Sequence, residues 1–203
     1  MSILSRRSPF KARLLGGSSN IKKYAPQFDG LTQFIQLSSP WLIGASDDFE
    51  ISVVASGLTP SSFQSVFSGS SIENFMRTLN AGGGIQCYVG NFIASWTTSG
   101  FDVEAEHKYT LRRTGGIVSV IVDDEVKSTR NGSVNGASYD RFMRSWTTSA
   151  FSTGMIKSAS FELNGQLVSS FNFNQRNSAI QNPTVGAITA TIINHTNAMW
   201  VEV

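Results

Sequence analysis

The sequence predicts an all-β protein: a two-sheet antiparallel jelly-roll sandwich over residues 28–203, preceded by an extended basic N-terminal arm over residues 1–27. Three observations predict it. The composition is that of strands and turns, with 40% hydrophobic and only 15% charged residues, scarce Lys and Glu, and abundant Ser, Thr, Asn and Gly. Residues 151–173 read as a β-hairpin. Many short apolar runs are separated by Gly-rich turns, with hardly any helical pattern between them. At 203 residues the chain suits one sandwich-sized domain with a tail. Five prolines and eighteen glycines are too few for a fibrous or disordered class.

The arm has no strand periodicity and contains Pro9, Gly16-Gly17-Ser18-Ser19 and Pro26. Arg6, Arg7, Lys11, Arg13, Lys22 and Lys23 lie in residues 1–28 with no acid, so this segment carries +6. The whole chain carries +2, which leaves −4 for the remainder. Such an arm is either a solvated tail or a segment that orders on an acidic partner surface. Nucleic-acid binding is disfavoured, because no stacking aromatics interleave with the cations and no recognition motif follows.

The body opens at the turn Phe28-Asp29-Gly30, followed by a short strand at Phe34, Ile35 and Leu37 and a loop marked by Pro40 and Gly44. Phe49, Ile51 and Val53 alternate with Glu50, Ser52 and Val54 as a strand, and Phe63–Phe67 is another. Ile72, Phe75, Met76 and Leu79 fit helical spacing, yet Ala81-Gly82-Gly83-Gly84 and then Ile85, Cys87 and Val89 fit a hairpin better. Gly90-Asn91 turns the chain into Phe92–Trp96. Tyr109, Leu111 and Arg113 begin the next strand. Gly115-Gly116 leads into the β-branched run Ile117–Val122, Asp123-Asp124 turns it, and Val126 starts a short return. Residues 130–138 form a loop. In the hairpin, Lys157, Ala159, Phe161 and Leu163 share one face, Asn164-Gly165 supplies the positive φ of a type I′ turn, and Leu167, Ser169, Phe171 and Phe173 share the return face. Ile188–Ile193 is a late strand.

Two short segments recur. Ser95-Trp96-Thr97-Thr98-Ser99-Gly100-Phe101 reappears as Ser145-Trp146-Thr147-Thr148-Ser149-Ala150-Phe151, and Phe-Met-Arg occurs at 75–77 and 142–144. The surroundings do not repeat, so this is no solenoid. The tryptophans are either buried at two similar strand exits or exposed as a binding platform.

The single Cys87 lies in an alternating apolar run and reads as a small buried hydrophobe. With His107 and His195 the only histidines, a His/Cys metal cage has no material, and no metal or cofactor is expected. No apolar run reaches the roughly 18 residues that span a membrane. The start MSILSRRSPF lacks the apolar core of a signal peptide, so synthesis in a reducing cytoplasm is expected.

The order of features resembles the concanavalin A-like lectin/glucanase superfamily, in its laminin-G-like branch. The resemblance rests on Phe28-Asp29-Gly30, on Phe49-Glu50-Ile51-Ser52-Val53, and on His107–Arg113 leading through Gly115-Gly116 and Ile117–Val122 to Asp123-Asp124. It closes with Gly154-Met155-Ile156-Lys157 and the Asn164-Gly165 hairpin. The segment from Phe171-Asn172-Phe173 through Ala187 to Trp200 looks like the versions in tailed-bacteriophage virion proteins. The resemblance implies two face-to-face sheets. It also raises a rim calcium site, for which Asp47, Asp48, Asp123 and Asp124 are the only acidic doublets, without an oxygen-rich ligand loop. Its enzymes set carboxylates at alternate strand positions. Asp102, Glu104 and Glu106 have that spacing but lead with Asp and precede the Tyr109 strand, so no catalytic residues are assigned and no enzyme is expected. There is no Gly-x-Ser-x-Gly elbow and no phosphate loop.

The leading expectation is therefore a bacteriophage virion structural protein: a capsid decoration, head-fibre or tail accessory subunit. It would be held on a major capsid or tail protein by the arm and assembled as a dimer or trimer that covers sheet edges. Its location would be the virion, after synthesis in the host cytoplasm, with neither nucleic acid nor membrane as partner. The alternative is a glycan-binding module for host attachment, with Trp41, Trp96 and Trp146 as sugar platforms, and the remote alternative is a glycoside hydrolase.

Overall fold

A computed structural model describes residues 22–60, 62–132, 135–147 and 149–203. The described strands, in chain order, are β1 (Tyr24–Asp29), β2 (Phe34–Ile43), β3 (Phe49–Ser56), β4 (Gln64–Ser68), β5 (Asn74–Thr78), β6 (Gly84–Val89), β7 (Phe92–Thr97) and β8 (His107–Thr114). They continue as β9 (Ile117–Val122), β10 (Glu125–Asn131), β11 (Ala137–Phe142), β12 (Thr153–Leu163), β13 (Gln166–Asn172), β14 (Ile180–Gln181), β15 (Ala190–Ile193) and β16 (Trp200–Glu202). All pairings are antiparallel. Sheet one runs β10-β9-β8-β3-β12-β1-β16, with β13 also on β12, and sheet two runs β14-β15-β2-β11-β4-β5-β6-β7. This is the two-sheet jelly-roll sandwich that the sequence predicts.

The period of two explains the core. Across sheet two, Ile192, Ile35, Phe142, Phe67, Met76, Cys87 and Ala94 stand opposite one another in a single row, and all are buried. Across sheet one, Val122, Tyr109, Val53, Ala159 and Phe171 form the matching row. The two rows face each other and close the core. Cys87 is one more apolar side chain in it, and burial pushes its thiol pKa far up.

The central hairpin forms on β12 and β13, with Asn164 at φ 51° and Gly165 at φ 77°, the left-handed pair of a type I′ turn. Two details differ from expectation. Leu167 is 45% exposed and stands opposite Glu162, off the face of Ser169 and Phe171, because the register shifts between Phe161 and Glu162. Lys157 does not share the core face, because the register shifts between Ile156 and Ser158. That bulge brings Ile156 inward beside Ala159 and Phe161 and leaves Lys157 to pair with Glu106. Gly154, at the start of β12, has φ 110°, and a Cβ there would collide with the Ser56 carbonyl.

Several boundaries also move. The sandwich starts at Tyr24, not Phe28: Tyr24–Pro26 pair with Trp200–Glu202, and Gln27–Asp29 pair with Thr153–Met155. Pro26 lies where β1 changes partner, a position that tolerates a missing N–H. Sheet two runs through Pro40, because β2 bows out at residues 37–40 and rejoins β11 at Trp41. Residues 74–78 form strand β5, so the hairpin alternative holds over the helical one. The expected loop at 130–138 holds the end of β10 and the start of β11, a central strand of sheet two.

Trp41 is 1% exposed, stacked on Phe161 of sheet one at 5.2 Å and edge-on to Phe142 at 5.4 Å. It joins the two sheets and has no surface to offer a sugar, which corrects its expected role as a platform. Trp41→Ala should cost about 3–5 kcal/mol in urea unfolding, the range for an emptied aromatic core site. A loss below about 1 kcal/mol would show that this contact does not hold the sheets together.

Candidate functional site

The outer faces of the two sheets differ in chemistry. On sheet one, Thr110, Ser52, Ser160 and Ser170 stand in a row of small hydroxyls, with Ser52 and Thr110 sharing a 2.7 Å hydrogen bond. The next row sets Glu50 directly across from Glu162, with Arg112 on the far side of Glu50 at 4.0 Å. On sheet two the outer row is Gln36, Arg141, Ser68, Phe75, Tyr88 and Ile93. The row beside it is Ser65, Arg77, Gln86 and Ser95.

Aromatic rings and guanidinium groups gather on this second face. Phe75 packs on Tyr88 at 4.7 Å and under Trp146 at 4.7 Å, with the Trp146 and Phe75 planes 22° apart. The Arg77 guanidinium lies 4.1 Å over Phe63, 4.7 Å over Phe75 and 5.4 Å from Trp146. Its Nε and Nη2 both donate to Gln86 Oε1, at 3.0 and 2.6 Å. Burial lowers the Arg77 pKa, a shift only partly opposed by Tyr88. Phe75 is thereby covered although it points away from the core, while Phe63 stays 47% exposed.

Trp146 is delivered by the lobe that follows β11. An Arg144–Phe151 bridge closes the lobe, the Ser145 amide donates to the Ala150 carbonyl at 2.8 Å, and Ser68 Oγ donates to the Arg144 carbonyl at 2.6 Å. The lobe folds onto the outer face of sheet two. Its closed base forms a second ring-and-cation group, with Arg144 4.5 Å over Phe34 and 5.4 Å from Phe151. Arg141 is taken up by Asp140 through Nε at 2.7 Å and Nη2 at 3.0 Å.

The other residues singled out in sequence fall elsewhere. Trp96, in the twin motif, stands opposite Ile85 and packs against the core and Phe101 at 5.1 Å, with Lys127 5.3 Å from its ring. Arg6, Arg7, Lys11 and Arg13 lie outside the described residues. Lys22 pairs with Glu202 at 2.8 Å, both exposed, and borders a cavity of about 490 Å³ shared with Lys23, Tyr24, Lys157, Asn172 and Asn174. Asp102 accepts the amides of Glu104 and Ala105 in a loop turn, and Glu106 pairs with Lys157. Asp47 is held below the usual carboxylate range by Asn164 and the Gly44 amide. Asp48 accepts the Gly115 amide, and Asp124 pairs with Lys108. These acids serve turns and ion pairs. Among the described residues no three His, Cys, Asp or Glu side chains group as metal ligands.

Sequence reasoning missed Phe63, Phe75, Arg77, Gln86, Tyr88 and Arg144. The signal was present in the repeated Phe-Met-Arg. In both copies the methionine is buried in the core and the arginine emerges on this outer face.

In comparisons with known proteins, no protein family matches the chain, and no curated protein matches it in sequence. Solved structures match by fold. A putative carbohydrate binding protein from Bacteroides ovatus aligns with a TM-score of 0.66 at 12% identity, over 90% of this chain and 60% of that one. Domains LG4-5 of the mouse laminin α1 chain align with a TM-score of 0.50 at 10% identity, over 73% of this chain and 43% of that one. The chain thus spans less than two thirds of either neighbour. The chain shares the two-sheet, lectin-like jelly-roll sandwich fold of these neighbours.

Two expectations follow from the charges. Like charges directly opposite on neighbouring strands destabilise a sheet, so Glu162→Gln should stabilise by a few tenths to about 1 kcal/mol in urea unfolding. A lowered midpoint would contradict the Glu50–Glu162 repulsion. For Asp123, partial burial opposes ionisation, but the His107 ring, the Lys108 amide and the Lys127 charge outweigh it and hold the pKa down. A depressed folded pKa gives stability present above the unfolded value, near 4, and lost as pH falls through the folded value. Asp123→Asn, which tolerates the φ of 52° there, should melt below the parent at neutral pH. The gap should close between about pH 5 and about pH 2; a gap constant with pH would remove the carboxylate from the account.

Proposed function

We propose that the protein is a carbohydrate-binding, lectin-like module that takes its glycan on the outer face of sheet two. One observation carries this: the half-buried Trp146, with the exposed Phe63 nearby, set on a rigid sheet and backed by Phe75 and Arg77. A sugar ring offers an apolar C–H face and a rim of hydroxyls. Flat amphipathic rings match the face, and Gln86 and Arg77 supply polar partners for the rim. The likeness to a putative carbohydrate binding protein supports the same reading. Binding rather than catalysis is inferred, because Asp102 and Glu106 are committed to a turn and an ion pair.

The virion reading rests on the basic arm over residues 1–27, of which residues 1–21 lie outside the described part, and on the resemblance of the segment from Phe171 to Trp200. The likeness to a putative carbohydrate binding protein supports the glycan alternative instead. The two are compatible. On a virion such a module would serve host attachment, with the arm contacting a capsid or tail protein.

The test is glycan-array screening followed by titration. Trp146→Ala should weaken binding roughly tenfold or more, as for a central aromatic anchor. Trp96→Ala, which removes a ring packed on the core, should lower the melting temperature instead. Equal affinity of Trp146→Ala and the parent, or no glycan bound at all, would overturn the reading.

A further inference from the structure

Arg144 is placed unlike the other arginines of this face. Its side chain makes no hydrogen bond or ion pair with any described residue, and its Nε is buried without an acceptor. The one carboxylate beside it, Asp140, is already occupied by Arg141 through two hydrogen bonds. Arg77 likewise has no carboxylate partner among the described residues, since two of its N–H groups converge on a single amide oxygen of Gln86. Both guanidinium groups lie over aromatic rings, which engages their flat faces and leaves in-plane donors for an oxyanion.

Resting on the glycan-binding reading above, we infer that the ligand is an anionic polysaccharide, with Arg144 and Arg77 receiving its carboxylate or sulfate-ester groups while Trp146 stacks on the sugar between them. A neutral sugar would leave two cations uncompensated, and a desolvated guanidinium without an acceptor is costly to keep. Burial and the neighbouring Arg141 lower the Arg144 pKa, a shift only partly opposed by Asp140, whose two oxygens are already taken by Arg141. Trp146 lies 5.4 Å from the Arg77 group and two residues along the chain from Arg144, so one lobe carries both a ring and a cation to this face. A chain of charged sugars offers flat rings and anionic substituents to match both.

The experiment uses the full chain against dextran, dextran sulfate and polygalacturonate, with polyglutamate as a non-sugar polyanion, at low and high salt. Dextran sulfate or polygalacturonate, or both, should bind at least roughly tenfold tighter than dextran, and the advantage should shrink with salt. Whichever is preferred identifies sulfate or carboxylate as the group read. Arg144→Gln should erase the advantage while the chain stays folded, since only the stacking over Phe34 and Phe151 is lost and no hydrogen bond with a described residue. Arg77→Lys, which keeps the charge but not the fork, should weaken it in part. Lys22→Gln with Lys23→Gln should change nothing.

Equal binding of dextran and the charged polymers, lost in Trp146→Ala, would overturn this inference and leave the glycan reading standing. No saccharide bound would overturn both. A preference kept in Arg144→Gln, or lost in the lysine variants, would mark general electrostatics and overturn the inference. Polyglutamate bound as tightly as the polysaccharides would overturn it in favour of an acidic protein partner.

Discussion

The one-residue irregularity in β11 is the constraint on which both the core and the candidate site depend. Tyr139 and Phe142 are three residues apart, yet both point inward, Tyr139 onto Phe67 at 5.3 Å and Phe142 onto Trp41 at 5.4 Å. A regular strand cannot do this, because its side chains alternate. The register shift between Tyr139 and Arg141 resolves the conflict and leaves Asp140 and Arg141 off the core side. It also sets the chain that leaves β11, so that Met143 is buried, with φ 60°, and Arg144 and Trp146 land on the outer face. Without this break in alternation at Asp140, opposite the outward bow of β2 at residues 37–40, either Phe142 or the site residues would be on the wrong side of the sheet.

The same irregularity explains what the sequence concealed. The regular parts were legible: Phe49, Ile51 and Val53 alternate as read, and Asn164-Gly165 makes the turn its chemistry demands. Of the strand with the irregularity, the sequence places residues 137–138 at the end of a loop and assigns no element to 139–142, because a three-residue apolar spacing breaks the period of two that marks a strand. The bulge between Ile156 and Ser158 misplaced Lys157 for the same reason. Strand β1 was hidden differently. Its partners are β12 and the C-terminal β16, so what makes Tyr24–Asp29 a strand lies more than a hundred residues away.

The site was legible only in part, and the twin Ser-Trp-Thr-Thr-Ser motifs show why. Trp96 ends an edge strand opposite Ile85 and turns to the core, whereas Trp146 sits in a lobe closed by the Arg144–Phe151 bridge and turns outward. Identical local sequence meets different sheet positions, and position decides. Trp41 shows the converse: nothing local separates it from a surface tryptophan, and its burial comes from Phe161 across the sandwich. Phe75 and Arg77 were in view as alternate residues, but their use appears only when Gln86 and Tyr88 of the next strand are laid beside them.

Stability and binding pull in opposite directions on this face. The core needs only one side of sheet two, and a soluble sheet could finish the other side with small hydroxyls, as sheet one does along Thr110, Ser52, Ser160 and Ser170. Sheet two instead carries stacked rings and a guanidinium whose Nε has no acceptor among the described residues, a cost that stacking over Phe34 and Phe151 offsets only in part. Burial of Phe75 beneath Trp146 recovers part of that cost, since the pair shields apolar surface from water while leaving a ring at the top. What remains unsatisfied on this face among the described residues is the Arg144 Nε, with Arg77 lacking a carboxylate but bonded to Gln86. A face whose rings are supported and whose charges are not is suited to a partner that brings the missing negative charge.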